Sequence, residues 1–372
     1  MILQDLIPLT LLTLITKGED MSKKQNRQYP RIKQQNFPKP IISLLDNMED
    51  GREFESLVKH KAVNVDIVAE IRRALNDIKD ITKRTIVCYL SNIVNSNIKA
   101  SISINYDDDL PFSEMISCIS DDIKEIDIML VTPGGSAQQV AKFVDKLRPR
   151  FDQINFILPN MAMSAGTIFS MSGNRIFMGP DSYIGPIDPQ VPNKDGFYVP
   201  AQAILALIDD IKKRGEEHLK KGQNPPWTDL QLLKQIDPKE IGNALSASYY
   251  SIELVKRFLC LYKFQDWKKH TLSGESVTDD EKKEKAEEIA KYLCDHSQWK
   301  SHSRGITRKD AWSECHLKIE HFESIQGLER ACRRFWALMY WIFENTSMTK
   351  LFISENYCII RNDISLMVQR SR

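Results

Sequence analysis

The strongest constraint on the fold is a pattern that occurs twice: a short apolar run, a bend of small residues, then apolar residues at helical spacing. In the first copy, residues 126–131 (IDIMLV) run into Thr132-Pro133-Gly134-Gly135, and Val140, Ala141, Val144 and Leu147 follow on one helical face. In the second, residues 154–158 (INFIL) lead to Pro159-Asn160-Met161-Ala162-Met163-Ser164-Ala165-Gly166, a helical stretch over 167–172 and a further strand over 175–178. Upstream, residues 65–82 place Ile67, Val68, Ile71, Ala74, Leu75 and Ile78 on one helical face, and residues 85–90 (TIVCYL) form a β-branched run suited to a buried strand. Strands alternating with helices at these intervals predict βαβ units, a mainly parallel sheet and an α/β fold. In such sheets reactive groups gather beyond the carboxyl ends of the strands. Both bends fall there.

Composition narrows the function classes. With 51 Lys+Arg against 50 Asp+Glu and 42% hydrophobic residues in 372, the chain has the makeup of a soluble globular protein, not a rod or a wholly disordered polymer. A near-neutral sum argues against nucleic-acid binding by bulk positive charge. The seven cysteines are scattered with no C-x-x-C pair, so neither a zinc ribbon nor a disulfide framework is indicated, and most are expected to be small core residues in a reducing compartment. No dinucleotide or ATPase motif is present, and neither metal nor cofactor is expected.

The length allows two domains, or one α/β domain with a large insertion. At the N-terminus, residues 6–15 are apolar but half the length of a membrane span and are broken by Pro8. They suit a short buried or interfacial segment, or an extension upstream of a start at Met21, better than a membrane anchor. Residues 21–40 hold six Lys or Arg and no acid, with Pro30, Pro38 and Pro40, as a solvated basic arm would. The expected organisation is an arm over 1–40, a catalytic core over 41–200, a helical insertion that completes the core over 201–320, and a helix and hairpin over 321–372. Within it, Asp107–Phe112 is expected to be a loop leading into a helix over 113–124. Helices are expected over 201–221, 228–263 with a break at Pro238, 279–292 and 321–346, with Leu230, Leu233, Ile241, Leu245, Leu254, Val255 and Leu259 as core candidates. A hairpin is expected over 350–361 around Glu355-Asn356.

The two bends carry the chemistry. Acyl transfer at a serine needs a base to take the hydroxyl proton and preorganised N–H donors for the developing oxyanion. Ser164 sits on a tight strand-to-helix turn that Ala162 and Gly166 keep uncrowded, although the first glycine of G-x-S-x-G is missing. The same stretch would also suit a small serine capping a buried helix. Thr132–Ser136 supplies glycine N–H groups that can approach a carbonyl oxygen, and it lacks both phosphate-loop patterns, G-x-G-x-x-G and G-x-x-x-x-G-K. One bend with a serine and one with backbone donors, about 30 residues apart, fit a divided oxyanion site.

Residues 130–136 (LVTPGGS), 159–167 (PNMAMSAGT) and 178–190 (MGPDSYIGPIDPQ) closely resemble the serine dehydrogenase proteinase family of the Clp protease/crotonase-like superfamily, which is related to signal peptide peptidases. The resemblance is strong over about 65–200 and fainter near 299–312. It implies a crotonase-like (Clp protease-like) ββα-superhelix core with a helical C-terminal extension. It further implies Ser164 as nucleophile, the Gly135 and Ala165 N–H groups as oxyanion hole, a Ser, Asp, His chain order with Asp188 as the acid, and homo-oligomeric assembly.

Six of the seven histidines follow Ser164: His218, His270, His296, His302, His316 and His321. His302, in a segment resembling the family's late histidine segment, is the expected base, although it also suits a surface or helix-entry residue. Asp188 would equally brace its own Gly-Pro-rich turn. Signal peptide peptidases use a lysine base about fifty residues after the serine, which makes Lys212 and Lys213 the alternatives, with His218 beside them. Such a lysine has to be desolvated to bring its pKa toward neutrality. The leading expectation is a cytoplasmic serine peptidase acting on peptide or protein segments, with membrane association through residues 6–15 as the alternative location. The competing functions are a non-catalytic scaffold or peptide-binding protein and, further off, an acyl-CoA enzyme.

Overall fold

The computed structural model describes residues 43–59, 65–193, 196–270 and 273–363. The basic arm over 1–40 and the apolar run over 6–15 lie outside them. No helix among the described residues is long and apolar enough to cross a membrane. The described residues divide into two compact units, the first from within 43–102, 107–129 and 322–363, the second from within 103–106 and 130–321.

In the first unit, helix Ile67–Thr82 starts at Asp66, whose side chain accepts from the Ala69 N–H, and stops at Lys83 in the left-handed conformation. It buries Ile71, Ala74, Leu75 and Ile78 on the face the spacing predicts. Helix Leu328–Asn345 packs against it, burying Leu328, Cys332, Phe335, Leu338, Met339 and Ile342 at three- and four-residue intervals. A fully buried Phe such as Phe335 contributes on the order of 1.5–3 kcal/mol by leaving water. Strand Thr85–Ser91 pairs antiparallel with Met348–Ser354, which turns through Glu355-Asn356 into Tyr357–Asn362. This is the hairpin the sequence suggests.

One expectation in this unit is corrected. Asp107–Phe112 is not a loop: Tyr106–Asp108 forms a 3-10 turn that runs directly into helix Asp109–Ser117. Pro111 falls in the first turn of that helix, where its missing N–H costs nothing. Asp108 is fully buried. It accepts from Lys350 Nζ at 2.8 and 2.9 Å and from the Tyr89 hydroxyl at 2.8 Å. Burial holds the Lys350 ammonium below its ordinary pKa against the pull of Asp108.

In the second unit, Gln153–Leu158, Arg175–Met178 and Glu320–His321 run parallel, with Leu158 opposite Met178 and Phe177 opposite Glu320. Parallel pairing therefore holds here, whereas Thr85–Ser91, Met348–Ser354 and Tyr357–Asn362 in the first unit pair antiparallel. Helix Ala137–Leu147 begins at Ser136, whose Oγ accepts from the Gln139 N–H at 3.1 Å, a cap of about 1 kcal/mol. The 201–294 stretch is mainly helical: Ala201–Lys220, Trp227–Gln235, Pro238–Phe258 with a π-turn through Lys263, and Asp279–Cys294. The break at Pro238 is present, with Asp237 capping. Leu254, Val255 and Leu259 are buried as expected, but Leu230, Leu233 and Leu245 are 46%, 38% and 39% exposed. Helical spacing identifies an apolar side and does not say what covers it.

A second, smaller sheet positions the site. Met161–Ala162 runs parallel to Tyr183–Ile184, which pairs antiparallel with Ile306–Thr307. These strands are two residues long and carry no periodic pattern, so sequence reasoning missed them.

Candidate active site

The two glycine-bearing bends meet. The Thr132 N–H donates to the Met161 carbonyl and the Met163 N–H to the Thr132 carbonyl, both at 3.0 Å. A Cβ on Gly134 would fall 2.7 Å from Ser164 Cβ and 2.8 Å from the Met163 carbonyl oxygen, so any side chain there would collide with the serine's own turn. On the other side, the Ile104 N–H donates to Gly134 O at 2.7 Å and the Ser136 N–H to Ile104 O at 2.8 Å. This strap closes against Gly135, where a Cβ would overlap the Ile104 backbone. Gly134 and Gly135 have φ of 104° and 138°, a region side chains disfavour. Among the described residues, neither the Gly135 N–H nor the Ala165 N–H has a hydrogen-bond acceptor.

Ser164 is partly exposed and has φ 51° and ψ −116°, a strained backbone for a residue with a Cβ. Such strain costs on the order of 1–3 kcal/mol and persists only where its surroundings enforce it. The enforcement is visible. The Gly166 N–H donates to Met163 O at 2.7 Å, and the single hydroxyl proton of fully buried Thr167 faces Ala162 O at 2.8 Å and Gly185 O at 2.9 Å. Gly185 N–H in turn approaches Thr167 Oγ1 at 2.9 Å. Thr167 thus ties the serine's helix to the loop that carries Asp188. A serine retained for capping would turn its oxygen back onto the first helical N–H groups. Ser164 makes no such bond.

The small sheet lies beside the meeting point of Asp188 and His302. Tyr183 lies opposite Thr307 and Ile184 opposite Ile306; Asp188 follows the first strand and His302 precedes the second at the same end of the pair. Asp188 is fully buried, and its Oδ1 lies 2.7 Å from His302 Nδ1. A second imidazole shares it: His296 Nδ1 is 3.1 Å from Oδ2. An ionised carboxylate only accepts, so both histidines present an Nδ1–H to it and keep Nε2 free for other work. The aspartate's loop is clamped on each side, Ile187 N–H to Leu293 O at 2.9 Å and Ala201 N–H to Pro189 O at 2.8 Å. Beside it, burial pushes the Cys294 thiol up to about 12, so this sulfur stays protonated and is no rival nucleophile. Ser164 follows the strand Met161–Ala162, which is parallel to Tyr183–Ile184, so serine, aspartate and histidine all leave the small sheet at one end. Ser164 and His302 are not hydrogen-bonded to each other.

The lysine alternatives lie elsewhere in this unit's chemistry. Lys212 and Lys213 project from helix Ala201–Lys220, are 71% and 66% exposed, and pair with that helix's own Glu216 and Asp209. The hydrogen bond to Asp209 raises the Lys213 pKa, the opposite of what a base requires. His218 is on the same helix, in its last turn. Sequence reasoning named His296 only among the histidines that follow Ser164, because nothing in its local pattern marks it; its contact with Asp188 does.

A family model for ClpP-like SDH-type serine proteinases matches residues 67–220. Two uncharacterized proteins of Methanocaldococcus jannaschii are similar: one is 31% identical over 86 residues, covering 23% of this chain and 28% of that protein, the other 34% over 94 residues, covering 25% and 31%. The match to these curated relatives thus spans under a third of their length. Among solved structures, the 1510-N membrane-bound stomatin-specific protease in complex with a substrate peptide is 17% identical with a TM-score of 0.31, covering 58% of this chain and 68% of that one. ClpP1 from Listeria monocytogenes is 16% identical with a TM-score of 0.24, covering 43% and 82%. The histidines that reach Asp188 come from beyond the matched segment, which itself holds Gly135, Ser164 and Asp188.

Proposed function

We propose that this chain is a serine peptidase that cleaves peptide bonds through an acyl-enzyme on Ser164. The observation that carries the reading is the convergence of an uncapped, strained serine and a buried Asp188–His302 pair at one end of the small sheet. In this mechanism His302 Nε2 takes the Ser164 proton as Oγ attacks the scissile carbonyl carbon. Asp188 fixes the Nδ1–H tautomer and stabilises the imidazolium that forms. The Gly135 and Ala165 N–H groups receive the oxyanion, a contribution typically worth about 2.7–4 kcal/mol for one donor. His302 then gives the proton to the leaving amine. Water, deprotonated by the same imidazole, hydrolyses the ester and returns Ser164. The serine–histidine contact closes as the substrate binds, since such bonds often tighten only in the reacting complex. The substrate is a peptide or protein segment bound through its main chain, and the family resemblance adds self-assembly, which sedimentation at several concentrations reads directly.

The test is hydrolysis of an unfolded protein such as reduced, alkylated casein by wild type and Ser164→Ala. Loss of turnover in the variant, with an unchanged melting curve, supports the reading. Equal turnover removes Ser164 from the chemistry.

A further inference from the structure

Asp188 meets two imidazoles where a Ser-His-Asp relay needs one. We propose that His296 is a positioning residue: its Nδ1–H holds Asp188 Oδ2, which leaves Oδ1 aimed at the Nδ1–H of His302. The proposal rests on the serine peptidase reading above and assigns the second histidine a role within it.

The geometry separates the two imidazoles. His302 has the shorter contact, 2.7 Å against 3.1 Å, and lies on the loop that enters strand Ile306–Thr307, at the end of the small sheet from which Ser164 also emerges. His296 instead opens the short helix His296–Trp299 and is anchored from its own side. Asp295 caps this helix, accepting from Ser297 N–H at 2.8 Å and Ser297 Oγ at 2.7 Å. The Lys300 N–H closes it onto the His296 carbonyl at 2.7 Å, with Lys300 in the left-handed conformation. Trp299, nearly buried, donates from Nε1 to Tyr292 O at 2.9 Å. The His296 backbone is therefore held by a built turn, whereas His302 follows that turn on a loop. With both oxygens engaged, a carboxylate cannot rotate about its Cβ–Cγ bond without breaking a charge-assisted hydrogen bond. With Oδ2 released, it can. A base misaimed by rotation of its orienting group loses rate steeply: about 1 Å of misplacement can cost on the order of 100-fold.

The experiment compares wild type with His296→Ala and His296→Asn, whose side-chain amide offers an N–H from the same branch point as Nδ1. The expected result is a kcat for peptide hydrolysis about 10- to 100-fold lower in His296→Ala with KM unchanged, and recovery of most of that loss in His296→Asn. A His296→Ala enzyme with wild-type kcat, or an Asn variant no better than Ala, overturns the proposal. A second readout requires no turnover: nitrogen NMR of the imidazoles. His302 is expected in the Nδ1–H tautomer in wild type and His296→Asn, and as a mixture of tautomers in His296→Ala. If Ser164→Ala hydrolyses peptide as fast as wild type, the peptidase reading fails while the His302 tautomer still decides the role of His296. An unchanged tautomer in His296→Ala overturns that role.

Discussion

Asp108 and Asp188 are both fully buried carboxylates, one in each unit, and their partners separate structure from chemistry. Asp108 is closed in by Lys350, whose side chain is 1% exposed, and by Tyr89, whose phenol burial pushes well above its ordinary range. With Arg361 3.7 Å from Asp108 Oδ1 as well, these groups tie distant parts of the first unit together. Asp188 is met by imidazoles that are 25% and 26% exposed and whose other ring nitrogens have no partner among the described residues. Equal burial thus comes with different partners: beside Asp108 a buried ammonium and phenol, beside Asp188 two imidazoles that reach solvent.

The comparison breaks most sharply at Asp188. Asp188→Asn is expected to lower kcat by about 10³- to 10⁴-fold, because an amide no longer enforces the productive tautomer, while the melting temperature stays close to that of wild type. A collapse in melting temperature without that kinetic loss would make Asp188 a second Asp108. The mirror experiment is Lys350→Met, which removes the nearer cation from buried Asp108, leaves Arg361 at 3.7 Å, and is expected to cost up to about 3–5 kcal/mol in denaturant unfolding. Adding Asp108→Leu is expected to restore much of that stability, since replacing both members of a buried pair with apolar groups is often close to neutral. If the single variant is as stable as wild type, the sealed cluster is not what secures the first unit.

A smaller effect follows from Lys263 in the second unit, whose pKa burial lowers from 10.5 to about 8. Its folded-state pKa lies below the unfolded one, so between those values the unfolded chain binds more protons and stability rises with pH. Lys263→Met is therefore expected to raise the melting temperature at pH 7, with the gain shrinking between pH 8 and pH 10.5. A gain independent of pH would assign the effect to packing. The smallest change is expected at Lys213→Met: peptide hydrolysis within about twofold of wild type, because an exposed lysine paired within its own helix contributes little. A large loss there would bring back the serine–lysine alternative.

The parts of this picture that were legible from sequence are those written in local periodicity. Helix Ala137–Leu147 and strand Arg175–Met178 fall where the spacing put them, and the bends that carry Gly135 and Ser164 stand out as breaks between regular stretches. Asp188 and His302 were reachable only through the family resemblance, since their meeting depends on two-residue strands more than a hundred positions apart. His296 was passed over for the same reason. Acidity misled at Asp107–Asp109: three aspartates in a row resemble a solvated loop until Lys350, 242 positions away, is seen to neutralise Asp108. The exposed leucines 230, 233 and 245 show the converse error, an apolar helical side taken for core.

The central claim, that one activated hydroxyl does the chemistry, is tested most directly by exposing the intact protein to a fluorophosphonate and locating the adduct by peptide mass mapping. The account predicts a single adduct on Ser164, absent from Ser164→Ala and formed far more slowly in Asp188→Asn. An adduct on another residue, or equal modification of wild type and Ser164→Ala, would contradict it.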